Sequence, residues 1–329
     1  MKRLILFLSL CLPCLSDAAP PERLVIGAEG NKGVAIIDPA DGNKLLWHHP
    51  IGAVHDLHLL PGNRILTQDG WPKIIEINLR KKIVWEYDAT QTNREADDGK
   101  VEIHAYQRLK GGSTMIVESG PGRIIEVSSE KEIIKEIPLQ LASSNAHSDT
   151  RLVRQLDNGN YLVAQENDQT VKEYDPEGNV IWEFPVPLFG KEPAKGHGPD
   201  AFGGKCFAAI KAKNGNYLIT TGNGHSILEV TPEKEIVWKL EQNDLEGITL
   251  AWVTNIEELK NGNLRFGNCH AGPENPQIIE ITRDKEVVWT FHDFKNFGDA
   301  LANTLVVDGK RAEKLREILA GLNREGAEK

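Results

Sequence analysis

The chain has 329 residues, 40% of them hydrophobic and 26% charged, with a formal net charge of −10. That composition supports a substantial core and excludes a wholly disordered chain, while the acidic balance argues against a nucleic-acid phosphate backbone as partner. Thirty Gly and 17 Pro are spread along the sequence, as expected of many short strands joined by turns.

Lys2 and Arg3 precede an apolar stretch from Leu4 to Leu15, and Ser16-Asp17-Ala18-Ala19 follow. This order predicts a secretory signal peptide over residues 1–19, too short to span a bilayer, and an exported, periplasmic or extracellular product. Cys14 admits a lipoprotein alternative, but Pro13 stands before it where such signals usually carry Gly or Ala. Cleavage leaves a net charge of −11 and two cysteines, Cys206 and Cys269. One optional disulfide between them is not the framework of a small stapled domain. No transmembrane segment is expected beyond the leader.

A repeated unit fills residues 20–307. The copies include PGNRILTQ…KIIEINLRKKIVWEY from Pro61 and NGNYLVAQ…TVKEYDPEGNVIWEF from Asn158. NGNYLITT…SILEVTPEKEIVWKL begins at Asn214, and NGNLRFGN…QIIEITRDKEVVWTF at Asn261. A degenerate copy starts at Gly111 and an N-terminal one at Arg23. Trp47, Trp85, Lys135, Trp182, Trp238 and Trp289 mark the same position in the six units. The spacing predicts an all-β, six-bladed propeller with four strands per blade. The first unit lacks an innermost strand, whereas an orphan strand, Ala302 to Val307, trails the last. Closing the first blade with that C-terminal strand removes the open edge. Residues 308–329 carry Leu315, Ile318, Leu319 and Leu322 at helical spacing, which predicts a helix that covers propeller surface, with Asp308 as its cap.

The units NGNYLV…EYDPEGNVIWEF resemble repeats of the arylsulfotransferase-type and PQQ-like (quinoprotein-like) propellers. The resemblance covers roughly residues 23–307. For the arylsulfotransferase type it implies a channel His as nucleophile and an Arg holding sulfate. The vicinal Cys pair common in quinoprotein dehydrogenases is missing, so no cofactor is specified.

Propeller connectivity places the short NG-type turns on one face and the long irregular loops on the other, where function concentrates. His55, Asp56, His104, His147 and Arg151 fall at inner-strand starts, near the channel mouth of that face. Asp69, Trp71, Glu118, Glu166, Asn223, His225, Cys269 and His270 fall in its loops, with Cys206 and Trp252 beside inner strands. The catalytic candidates are His55, His104, His147 and Arg151; the others are binding candidates. His58 and the pair His48-His49 read as structural. No metal-ligand set is assigned, because nothing has a fixed spacing such as HExxH. The first expectation is a small or extended ligand bound on the long-loop face. The alternatives are an arylsulfotransferase-like enzyme and a scaffold that engages a protein partner through its blades or C-terminal helix.

Overall fold

The computed structural model describes residues 22–30, 32–93 and 100–327. The expected leader, residues 1–19, lies outside the described residues. Six four-stranded antiparallel sheets form the blades of a ring, each built from consecutive strands except the first. In blade 1 the order is Leu301–Asp308, Arg23–Glu29, Gly33–Asp38, Lys44–His49, so the C-terminal strand is innermost as the repeat phase predicts. Val25 pairs with Val306 and Gly27 with Thr304, which closes the ring with chain from both ends. The innermost strands of blades 2 to 6 are Leu57–Leu60, Glu102–Arg108, Val153–Gln155, Ala208–Lys211 and Trp252–Glu258.

The repeated residues join blades. In the NGN turns, Gly159, Gly215 and Gly262 all have φ near +90°, a conformation that excludes a side chain. The first Asn accepts from the backbone N–H two residues on, 3.0 Å for Asn158 to Asn160. The second Asn reaches a buried Glu on the third strand: Asn160 to Glu173 at 2.5 Å, Asn216 to Glu229 at 2.7 Å and Asn263 to Glu280 at 3.1 Å. Each such Glu also takes a partner from the following blade. Arg108 bonds Glu76 at 2.7 Å, Tyr217 bonds Glu173 at 2.7 Å, and Arg23 of blade 1 meets Glu280 of blade 6 at 2.9 Å. Pairing these acids leaves no buried carboxylate of the repeat uncompensated.

In blades 2, 4, 5 and 6 the Trp of the outer strand stands opposite that Glu in register, as in Glu173 with Trp182 and Glu229 with Trp238, whereas Trp47 of blade 1 stands opposite Ile36. In three blades the indole N–H crosses to a turn carbonyl of the next blade, Trp47 to Leu79 at 2.9 Å, Trp182 to Pro232 at 3.0 Å and Trp238 to Arg283 at 3.0 Å, whereas the Trp85 indole N–H is buried without a partner. Trp182 stacks on Tyr217 of blade 5 with ring centroids 3.7 Å apart. Lys135, the exception, places its ammonium 5.2 Å from the ring of Tyr161 in blade 4 and so keeps the contact between blades.

Lys310–Ala327 form the C-terminal helix. Ala312, Leu315 and Leu319 are buried in the blade 1 cluster with Leu24, Ile26 and Trp47. Arg316 fixes the helix through Asp38, Nε to Oδ2 at 2.5 Å. Asp308 does not act as its cap, because its carboxylate pairs with Arg23 at 3.0 Å and Arg265 at 3.0 Å; the N–H groups of Ala312 and Glu313 bond the Gly309 carbonyl. Among the described residues, no helix is long and apolar enough to cross a membrane.

Candidate functional site

A cavity of about 640 Å³ opens on the long-loop face at one end of the channel. Blade 2 supplies His55 and Trp71, the approach to blade 4 supplies His147 and Arg151, and blade 6 supplies Trp252, Cys269 and His270. All of these belong to the face on which the repeat phase places them. Glu166, His197, Lys205 and Phe207 complete the polar and aromatic wall.

One side of the cavity is a histidine cluster. The ring centroids of His55 and His104 are 4.8 Å apart, and those of His104 and His147 are 5.7 Å apart. Trp71 touches all three, at 5.0, 5.5 and 5.1 Å from His55, His104 and His147. His104 is the extra residue of a β-bulge in the innermost strand of blade 3, which releases it from the ladder and buries its ring between blades. Its Nε2 lies 3.0 Å from Glu102 Oε2, and its Nδ1 lies 2.8 Å from the Thr150 carbonyl. His147 Nδ1 meets the same Glu102 oxygen at 2.8 Å. Burial raises the Glu102 pKa, but the bonds from the two imidazoles outweigh it and hold the carboxyl down to about 2.

Burial, and then the charge of Arg151, push the His55 pKa well below its ordinary value, so its imidazole is neutral. Its Nδ1 has no hydrogen-bond partner. His104 is lowered as well, by burial first and by Arg151, against the opposing bond to Glu102.

Arg151 differs from its expected role. Its Nε pairs with Glu166 at 2.5 Å, and one terminal nitrogen reaches the His147 carbonyl at 2.5 Å, His104 Nδ1 at 3.0 Å and the Thr150 carbonyl at 3.2 Å. Through these bonds the guanidinium holds the His147 loop against the His104 strand. Lys205, 46% exposed and 3.2 Å from Glu166, is the more available cation.

The opposite wall is a second aromatic group. His197 lies 5.1 Å from Trp252 and 5.1 Å from His270, centroid to centroid. Burial lowers the His270 pKa, aided by His197. Cys269 lies beside this wall, and burial raises its thiol far above the usual range, which makes it a poor nucleophile. Cys206 is buried elsewhere, with its thiol 3.5 Å from the carbonyls of Gln165 and Thr170. Both cysteines are free, so the structure does not contain the optional disulfide.

The remaining candidates do not line the cavity. Asp56 is wholly buried in the channel, where Arg154 clasps it with two bonds of 2.7 and 2.8 Å. Asp69 is at the surface beside Lys73, 4.0 Å away. Glu118 is buried among Arg123, Tyr87 and Asn93. Asn223 accepts from the Lys205 N–H at 3.1 Å and braces the long loop. His225 spends both ring nitrogens on the carbonyls of Ala251 and Ala201. Asp56, Glu118, Asn223 and His225 are parts of the frame.

The sequence reading missed Glu102, His197 and Lys205. Glu102-x-His104 is a pair that a strand places on one face, and that spacing was a usable signal. His197 and Lys205 sit in an irregular connection with no periodicity to locate them. Among the described residues, Glu102, His104 and His147 present one ligand atom each within 4.8 Å of one another.

No family model and no curated relative matches the sequence. The chain is similar in structure to a protein of unknown function from Bacteroides caccae, at 22% identity over 88% of this chain and 99% of that one, TM-score 0.71. It is also similar to a streptogramin B lyase, at 14% identity over 89% and 96%, TM-score 0.56. A virginiamycin B lyase from Staphylococcus aureus matches at 15% identity over 81% and 79%, TM-score 0.53. At these identities the likeness shows the fold: the chain is a six-bladed β-propeller.

Proposed function

We propose that this chain is an exported propeller that binds a small or extended ligand in the cavity on its long-loop face. The observation that carries the reading is convergence. Residues from separate blades, distant in sequence, line one cavity whose volume is in the range of ligand pockets, about 300–1,000 Å³. Trp71 with His55 and His147 forms one aromatic wall, and Trp252 with His197 forms another. A ligand with ring faces suits both, and Lys205 offers a charge to an anionic substituent. The test is affinity selection of metabolite, saccharide and peptide libraries on the mature protein and on Trp71→Ala/Trp252→Ala. Ligands retained by the first and lost by a folded double variant support the proposal. Equal retention by both removes the cavity from consideration.

An enzymatic reading has its own support in His55. His55 lines the cavity as a neutral imidazole, the form that serves as a base or nucleophile. Lyase activity in two of the similar structures and the arylsulfotransferase resemblance both fit such a residue. In the sulfotransfer version Lys205, rather than Arg151, faces the sulfate oxygens. Transfer from a chromogenic aryl sulfate to a phenol, abolished in His55→Ala, would establish it. Activity that survives in His55→Ala would take that role from His55.

A further inference from the structure

We propose that Glu102, His104 and His147 bind a divalent transition-metal ion at the edge of the long-loop cavity. Glu102 Oε2 is 3.0 Å from His104 Nε2 and 2.8 Å from His147 Nδ1, and the three ligand atoms all lie within 4.8 Å. Metal–ligand bonds of about 2.0–2.2 Å in a tetrahedron put ligand atoms about 3.4 Å apart, so the closer two separations need only slight expansion. The His104–His147 separation adjusts through His147, whose side chain is 58% exposed on its loop.

The His104 ring is oriented for such an ion. Its Nε2 faces Glu102 Oε2 at 3.0 Å, while its Nδ1 lies 2.8 Å from the Thr150 carbonyl and 3.0 Å from Arg151 Nη1. With Nε2 on a cation, Nδ1–H donates to Thr150, the backbone-carbonyl support that metal-bound histidines usually have. Arg151 steadies the same carbonyl at 3.2 Å, and its own charge is balanced by Glu166 at 2.5 Å.

Two of the three donors sit on a rigid inner strand. His104 is fixed in a bulge of an inner strand, Glu102 opens that strand, and the His147 N–H is held by Asn145 Oδ1 at 3.0 Å. Three protein donors leave the remaining coordination positions open, as in zinc sites that take a ligand. Two imidazoles and one carboxylate favour ions such as Zn²⁺, Co²⁺ or Fe²⁺ over Mg²⁺ or Ca²⁺.

The test uses the mature protein freed of metal by a chelator. Calorimetric titration with Zn²⁺ measures stoichiometry, and Co²⁺ reports ligand geometry through its visible absorption. The expected result is one Zn²⁺ per chain, weakened at least about 10-fold in His147→Ala and in Glu102→Gln. His147 sits on an exposed loop, and circular dichroism on the two variants confirms that they fold. His197→Ala/His270→Ala, on the opposite wall, should bind Zn²⁺ as the parent does. Absence of stoichiometric binding, or binding abolished by the opposite-wall pair and retained in His147→Ala, overturns the proposal. Failure to find an organic ligand for the cavity leaves these expectations unchanged.

Discussion

Replacing Asp56 with alanine removes the group that ties four blades together inside the channel. Its Oδ1 accepts from Leu57 N at 2.8 Å in blade 2, from Arg154 at 2.8 Å in blade 4 and from Asn303 at 3.1 Å in blade 1. Its Oδ2 accepts from Arg154 at 2.7 Å and from Tyr106 N at 3.2 Å in blade 3. Deletion strands a partly buried guanidinium and two buried backbone N–H groups. Breaking a buried ion pair from one side costs about 3–5 kcal/mol. At about 2 °C per kcal/mol for a domain of this size, calorimetry at neutral pH should record a melting temperature about 6–10 °C lower. The pH dependence gives a second check. Burial raises the Asp56 carboxyl, but Arg154 and His58 outweigh it and hold the carboxyl well below the usual range. A depressed pKa contributes stability that is complete above the unfolded value, about 4, and is lost as pH falls through the folded one. The gap between parent and variant should therefore stay constant from pH 8 to about pH 5 and narrow in stronger acid. A neutral-pH loss below about 1 kcal/mol, or a gap that widens with acid, would refute the clamp.

Three further outcomes follow from the same contacts. Trp182→Phe keeps the ring on Tyr217 but loses the bond to the Pro232 carbonyl, so denaturant unfolding should show a loss of about 0.5–1.5 kcal/mol. Arg151→Gln leaves Glu166 buried with only Lys205, at a cost of about 3 kcal/mol; Glu166→Gln in the same chain should restore at least about 1 kcal/mol in a double-mutant cycle. In the protein denatured without reductant, iodoacetamide should alkylate both Cys206 and Cys269, whereas a disulfide would protect both.

The ring was legible because the residues that repeat are the ones that join blades. NGN, the Glu of the third strand and the Trp of the fourth recur because each copy solves the same contact with its neighbour. The orphan strand before Asp308 was legible for a related reason: a missing inner strand at one end and a spare one at the other have one economical solution. The site was legible by face and residue type only. Loop membership put His55, His147, Trp71 and Trp252 on one surface, but pairing decides role, and pairing is non-local. Arg151 could not be read as a brace until Glu166 and the His147 carbonyl were seen to occupy its donors. His225 and Asn223 share the loop position of true lining residues, yet they turn inward to hold the chain between Pro185 and Cys206.

The most direct test of the proposed function compares the two ends of the channel. A second cavity, about 440 Å³, opens at the short-turn end and is bordered by Arg108, Arg154 and Arg311. With a ligand found by affinity selection, calorimetry on His147→Ala and on Arg311→Ala separates the two. Binding on the long-loop face predicts at least about a 10-fold loss of affinity for His147→Ala, a deficit of about 1.4 kcal/mol, and none for Arg311→Ala. Loss confined to Arg311→Ala would contradict the account and move the site to the other end of the propeller.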